Sequence, residues 1–454
     1  MNSNLLEELI LSYNKTSNLT PDQQSELKNL LYKNIQPGDF IIESAQGVRL
    51  VTETGAEIID LSSQTVNCIL GQNDEWVSYN LAAQILSIQP NFLSSKLSSI
   101  FYLEYSKRLL GILGFKDKIV NHRQNNGTDV TELAIKSAKN ASRSEVLMAF
   151  KGSYHGQSLA NYHASDLQRE HVFWGLDNNV MFMESPPDQN SPNRDALEKQ
   201  LLTKIDKEIS NCFAVIIEPI QVNNNVNTPS AIFFQKLDAI CKKHNIPLIL
   251  DEIQTGFGWL GELSVSKLYG IDPEFIALSK ALTAGYGPLA VLIADKKYDN
   301  LLYGTGEKTN GADIRSLTAS MAVIDRLCGV TEPNNLPKSI SSSLSEELST
   351  GIMRRQHEIS TELHELLCEL RDDFTEVVSE IRGSGLIKGI LIKDLPGQDA
   401  KKIVSNTQEE CLRRGVMVRA CAKTIVIKPA IIASSKDIRE GLLILREVLG
   451  ELND

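Results

Sequence analysis

Lys280 ends the segment Ile276-Ala277-Leu278-Ser279-Lys280, so an apolar run delivers a primary amine to its carboxyl end. Upstream, the apolar run Ile246 to Leu250 delivers Asp251-Glu252-Ile253-Gln254-Thr255-Gly256-Phe257-Gly258 in the same way. An amine so placed can condense with a carbonyl as a Schiff base, and a carboxylate can hold a ring nitrogen protonated. Asn125-Asn126-Gly127-Thr128-Asp129 opens a helix whose apolar face is Val130, Leu133, Ala134 and Ala138. Its free N–H groups and positive dipole end suit a dianionic phosphate. An aldehyde, a pyridine nitrogen and a phosphate are the handles of pyridoxal 5'-phosphate.

These groups act together only if the chain brings them to one place. Between about 76 and 315, helical stretches alternate with apolar strands at Val146 to Phe150, Phe213 to Ile217, Ile246 to Leu250, Phe275 to Leu278 and Leu289 to Ala294. That alternation predicts an α/β fold with a mostly parallel sheet covered on both faces by helices. Ligands of such sheets bind beyond the carboxyl ends of the strands, where Glu218, Asp251 and Lys280 fall. Residues 1 to about 40 read as helical, with Leu5, Leu6, Leu9 and Ile10 on one face, Thr20 as a cap before Pro21, a second apolar set at Leu27, Leu30 and Leu31, and a stop at Gly38. Ile41 to Ile59 reads as a small antiparallel sheet broken at Gly47 and Thr54-Gly55. After 316 a long helical region leads to an α/β unit on Gly389-Ile390-Leu391-Ile392 and Thr424-Ile425-Val426-Ile427. Three parts result: residues 1–75 as an arm and part of a small domain, 76–315 as a large cofactor-binding domain, and 316–454 as the smaller C-terminal domain.

The 454-residue length allows two or three domains at roughly 150 residues each. The balance of 46 basic against 57 acidic residues opposes nucleic-acid binding, and no local basic patch offsets it. No apolar run approaches the ~18 residues of a membrane span. The start, Met1-Asn2-Ser3-Asn4-Leu5-Leu6-Glu7-Glu8, is acidic where an export or transit signal would be basic. The 7 cysteines are scattered, with no C-x-x-C pair for zinc or redox chemistry. A cytoplasmic location with reduced thiols is the expectation.

The ordered motifs resemble the class III aminotransferases, subgroup II of the fold type I pyridoxal phosphate enzymes. The likeness runs from near Gly47, through Asp60-Leu61-Ser62-Ser63-Gln64, to Arg382-Gly383-Ser384-Gly385-Leu386 and Pro429. It implies a large domain with a seven-stranded sheet and a smaller α/β domain. Asp-Glu-Ile-Gln-Thr-Gly-Phe-Gly matches the family's D-E-x-Q-T-G-x-G, which implies Asp251 on the pyridinium nitrogen and Gln254 on the phenolic oxygen. Lys280 matches S-K-A-x-x-x-G, which implies the Schiff base and, once the amine is freed, the base of the 1,3-proton shift. Asn126-Gly127-Thr128 stands where the family has S-G-[ST] for the phosphate, and Tyr154-His155-Gly156 matches Y-H-G, which stacks the aromatic ring on the cofactor. His155 reads as structural. Glu218-Pro219-Ile220-Gln221 matches E-P-[IV]-Q, whose carboxylate lies near the cofactor and can pair with an active-site arginine. Thr309 corresponds to the threonine that reaches the phosphate of the other subunit, which implies a homodimer with shared active sites. Arg419 matches G-[VL]-x-x-R, a guanidinium that binds substrate carboxylate. Taken alone, Asp251 also reads as a helix cap and Arg419 as a surface-turn arginine.

The departures bear on substrate. Gln157 stands where the γ-aminobutyrate and ornithine enzymes have arginine, Trp259-Leu260 replaces R-T and puts an indole at a substrate-binding position, Val222-Asn223-Asn224-Asn225 replaces G-E-G-G, and Ala430 replaces a second proline. The expected activity is therefore amino transfer from an ω-amino acid or amine donor to pyruvate or 2-oxoglutarate. Aminomutases, racemases, phospho-lyases and a decarboxylase share this scaffold, and a non-catalytic binding protein is the rival of a different class. No metal is expected.

Overall fold

The computed structural model describes residues 20–32, 40–167 and 179–452. The expected apolar face at Leu5 to Ile10 and the stop at Gly38 lie outside them. The helix Pro21–Leu30 begins where the sequence places it. Thr20 Oγ1 accepts from Gln23 N at 3.3 Å, and Gln23 Oε1 accepts from Thr20 N at 2.8 Å, a reciprocal cap.

Next come strands β1 (Ile42–Gln46), β2 (Arg49–Thr52) and β3 (Glu57–Asp60). The central part supplies β4 (Lys118–Gln124), β5 (Val146–Phe150), β6 (Val180–Met183), β7 (Cys212–Ile217), β8 (Leu248–Asp251), β9 (Phe275–Leu278) and β10 (Ala290–Asp295). The C-terminal part adds β11 (Val378–Ser384), β12 (Ile387–Ile392), β13 (Val416–Met417), β14 (Arg419–Cys421) and β15 (Thr424–Ile427). The central sheet has seven strands in the order β4-β10-β9-β8-β7-β5-β6. Pairing is parallel from β9 through β8, β7 and β5 to β6, whereas β10 runs antiparallel to both β9 and β4. The chain between Leu278 and Ala290 is too short for the helical crossover that a parallel return requires.

Both faces of this sheet are buried, which is why its strands read as continuous apolar runs rather than alternating ones. In β8, Leu248 and Leu250 pack into one core cluster and Ile249 into the other. The 7-residue strand β4 was not legible: Asn121, His122, Arg123 and Gln124 make it polar, and it holds its place through main-chain pairing with β10.

Two four-stranded sheets complete the fold, β1-β2-β3-β13 and the antiparallel β11-β12-β15-β14. Because β13 pairs in parallel with β3, the start of the described chain is stitched to its C-terminal third. Among the described residues no helix is long and apolar enough to cross a membrane.

Candidate active site

A cavity of about 670 Å³ opens at the carboxyl ends of the central strands. Lys280, Asp251, Gln254, Glu218, Tyr154 and the helix start Asn126-Gly127-Thr128 all line it. Lys280 follows β9 after the single residue Ser279 and sits in the left-handed region at φ +47°, a conformation that costs a non-glycine residue about 1–3 kcal/mol and persists only when its surroundings enforce it. Ser279 helps to enforce it, its Oγ donating to the Leu289 carbonyl at 3.1 Å. Burial pushes the Lys280 ammonium down to about 8, and the nearby Arg419 guanidinium adds to the shift, while Asp251 and Glu218 oppose it.

Asp251 ends β8, and its Oδ2 lies 2.7 Å from His155 Nδ1, with the imidazole 0% and the carboxylate 4% exposed. Burial works against a charge on His155, but the hydrogen bond to Asp251 and the fields of Asp251 and Glu218 raise its pKa overall. Asp251 Oδ1 accepts from Ile253 N at 3.2 Å. The imidazole thus holds the carboxylate in a fixed direction, a structural role for His155 whose partner the sequence did not name. The motif Y-H-G did carry the signal, but the partner lies 96 positions away in sequence. Glu218, also buried, is pushed up to about 8 by burial, and the charge of Asp251 adds to this. Its Oε2 accepts from Tyr154 N at 3.0 Å. The expected pairing of Glu218 with an arginine is not formed among the described residues: the Arg419 guanidinium donates to Asn223 Oδ1 at 2.8 Å.

The helix Gly127–Asn140 begins as expected, with Val130, Leu133, Ala134 and Ala138 buried. Asn126 caps it, Oδ1 accepting from Asp129 N at 3.0 Å and Nδ2 donating to Asp129 Oδ2 at 3.1 Å. That bond leaves the earlier first-turn N–H groups, those of Gly127 and Thr128, without an intrahelical acceptor. A Cβ at Gly127 would meet the Ile253 side chain, Cδ1 at 2.8 Å and Cγ2 at 3.1 Å, so the helix start lies close against the β8 loop. Gln254 Oε1 and Asn125 Oδ1 are buried without partners, and both residues line the cavity. Unpaired buried acceptors beside a paired carboxylate, a low-pKa amine and an open helix start fit pyridoxal phosphate.

Three expected site residues, Trp259, Thr309 and Arg419, are not among those that line the cavity, and Arg419 sits half-buried on β14. Trp259 is 0% exposed and belongs to the core, away from the cavity. The chain turns back at Phe257 N to Leu263 O, and the Trp259 carbonyl accepts from Leu386 N and Gln356 Nε2, which clamps the indole against the C-terminal part. It is a packing residue and, contrary to expectation, does not reach the cavity where substrate would bind. Thr309 is exposed, in a separate surface recess with Ser95 and Arg123. Four cavity residues, Gln64, Asn67, Cys68 and Gln72, went unrecognised as site residues. They follow Asp60, whose carboxylate accepts from Ser62 N, Ser62 Oγ, Gln64 N and Gln64 Nε2, and they start from a left-handed turn at Ser63 to Val66 that no sequence pattern announces.

The fold and the site define an α/β transferase of fold type I built around pyridoxal 5'-phosphate. The chain belongs to the class III aminotransferases, whose family description, Aminotransferase class-III, matches residues 32–449. It is 24% identical to the acetylornithine aminotransferase of Agrobacterium fabrum (strain C58) over 406 residues, 88% of this chain and 91% of that one. It is 26% identical to the adenosylmethionine-8-amino-7-oxononanoate aminotransferase of Helicobacter pylori over 421 residues, 90% and 92% of the two chains. The fold matches the taurine:2-oxoglutarate aminotransferase from Bifidobacterium kashiwanohense with a TM-score of 0.81 at 19% identity, over 96% of this chain and 99% of that one. An amine transaminase from an uncultivated Pseudomonas species matches with a TM-score of 0.79 at 20% identity, over 96% and 99%.

Proposed function

We propose that the protein moves an amino group from an ω-amino acid or amine donor to a 2-oxo acid, pyruvate or 2-oxoglutarate, in a ping-pong exchange. The observation that carries the reading is one cavity shared by a Lys280 amine at about 8 and the buried Asp251–His155 pair. Pyridoxal phosphate, when bound, supplies the electron sink for the carbanion formed at the substrate carbon. Asp251 would hold its ring nitrogen protonated, Gln254 would reach its phenolic oxygen, Tyr154 would cover a ring face, and the first-turn N–H groups of Gly127 and Thr128, beside Asn126, would take its phosphate. Lys280 anchors the aldehyde. Once displaced, its amine is neutral in a useful fraction near pH 8 and is the base that removes the proton from the substrate carbon. Burial raises the Glu218 carboxyl, so it adds less negative charge beside Asp251 than an ordinary carboxylate would. Arg419 receives the carboxylate of the substrate.

Two chains would form the working unit, with Thr309 serving the phosphate of the partner. Tyr79, Ile85, Ile88, Phe92, Leu97 and Ile100 are large apolar side chains left exposed between 79 and 100, and Leu302 and Tyr303 near Thr309 add to them. Apolar exposure on this scale supports reading it as a surface that another chain covers. All 7 cysteines are free, which fits a reducing compartment such as the cytoplasm. The test is to add amines, without acceptor, to the yellow holoenzyme. Stoichiometric carbonyl release, with conversion of the cofactor to its amine form, is the expected result. Turnover without that conversion refutes amino transfer.

A further inference from the structure

Arg419 is half-buried on β14, and its guanidinium has a neutral amide, Asn223 Oδ1 at 2.8 Å, in the place where a counter-charge would sit. No carboxylate lies within ion-pair distance of it among the described residues. The positive charge is nevertheless felt through the site, since Arg419 helps to depress both Lys280 and the fully buried Lys428.

The loop that carries this amide is fastened at each neighbouring position. Asn224 Nδ2 donates to Gln221 Oε1 at 3.1 Å. Asn225, left-handed at φ +54°, accepts with Oδ1 from Lys423 N at 2.9 Å and from Thr424 Oγ1 at 3.2 Å. Cys421 Sγ donates to the Val222 carbonyl at 3.4 Å. The loop after β7 and the β14–β15 hairpin therefore move as one piece, and Asn223 aims the guanidinium without neutralising it.

We propose that Asn223 is the residue that sets carboxylate selectivity, by orienting Arg419 while leaving its charge for the substrate to compensate. A substrate with a carboxylate supplies the missing counter-ion. An amine of the same length without one would cover a half-buried guanidinium and leave it unpaired, which is unfavourable. The site thus takes carboxylate-bearing partners in both half-reactions, so its donor is an amino acid rather than a simple amine. This rests on the reading of Arg419 as the carboxylate site.

The test compares Asn223→Asp with Asn223→Ala in the holoenzyme. Succinate, which cannot react, is titrated by calorimetry, and kcat/KM is measured for the best carboxylate-bearing donor against the amine lacking only that carboxylate. Asp keeps the shape and adds a counter-charge, so it is expected to weaken succinate binding on the order of tenfold and to lower the selectivity ratio similarly. Ala loses the tether but leaves the charge uncompensated, so its ratio stays closer to wild type than that of Asp. A smaller effect for Asp than for Ala, or no change with Asp, overturns the proposal. If no donor yields a half-reaction in wild type, the amino-transfer reading fails, while succinate binding still reports on Asn223.

Discussion

His155 offers the sharpest check on how the site is built. Its Nδ1 lies 2.7 Å from Asp251 Oδ2, and neither side chain is more than 4% exposed. Removing one member of a buried pair strands the other and costs about 3–5 kcal/mol. The 3.2 Å bond from Ile253 N to Asp251 Oδ1 survives and softens that loss. The lower end, about 3 kcal/mol, is the reasoned figure, equivalent to roughly a hundredfold in an equilibrium constant. His155→Phe keeps the volume and removes the donor. It should lower the stability of the apoenzyme by roughly 3 kcal/mol, read by denaturant unfolding, and, with Asp251 no longer aimed, weaken binding of pyridoxal phosphate, read by absorbance titration, and slow the amine half-reaction in stopped flow. His155→Asn restores a donor without a charge and should recover a part of the affinity. The sign of the pH effect also follows. Because His155 has a raised pKa in the folded protein, its charged contribution is complete below the ordinary imidazole value of 6.5 and is lost as pH rises through the folded value. The stability difference between wild type and His155→Asn should therefore shrink toward alkaline pH. Cofactor affinity of His155→Phe within twofold of wild type would show that Asp251 does not depend on the imidazole.

Glu218 is protonated in the fold up to about 8, whereas an unfolded carboxyl ionises near 4.5, so wild-type stability should fall between those values as pH rises. Glu218→Gln keeps an acceptor for Tyr154 N and should flatten that fall in thermal denaturation scans; an unchanged slope would refute the assignment. The rate at which apoenzyme recaptures pyridoxal phosphate should rise through about pH 8, where Lys280 loses its proton, and Arg419→Ala should move that midpoint upward. A midpoint that stays put in the variant would remove Arg419 as a cause. Trp259→Ala should cost about 3–5 kcal/mol of stability, measured by denaturant unfolding, with little change in KM for either substrate. A raised KM with unchanged stability would return the indole to the substrate site. Thr309→Ala should weaken cofactor binding on the order of tenfold in dimers although Thr309 lies outside the cavity of its own chain, and mixed dimers with Lys280→Ala chains should show which subunit is affected.

The parts of this protein that are local in sequence were legible without coordinates. Strands β5, β7, β8 and β9 are apolar because both sheet faces are buried, and the helix start at Gly127 carries its own cap. Lys280, Asp251, Glu218 and the helix start at Asn126 could be named because strands of a parallel sheet release their next residues on one side. What no local pattern shows is which of those side chains find one another. The Asp251–His155 pair, the Arg419–Asn223 bond, spanning 196 positions, and the cavity wall from Gln64 to Gln72 arise only when distant segments pack. Trp259 shows the converse. Its position beside the D-E-I-Q-T-G-F-G motif points to substrate, but the turn from Phe257 to Leu263 and the Leu386 N–H to its carbonyl direct the indole inward. An apolar side chain goes where the most surface can be buried, and that is decided by the whole fold.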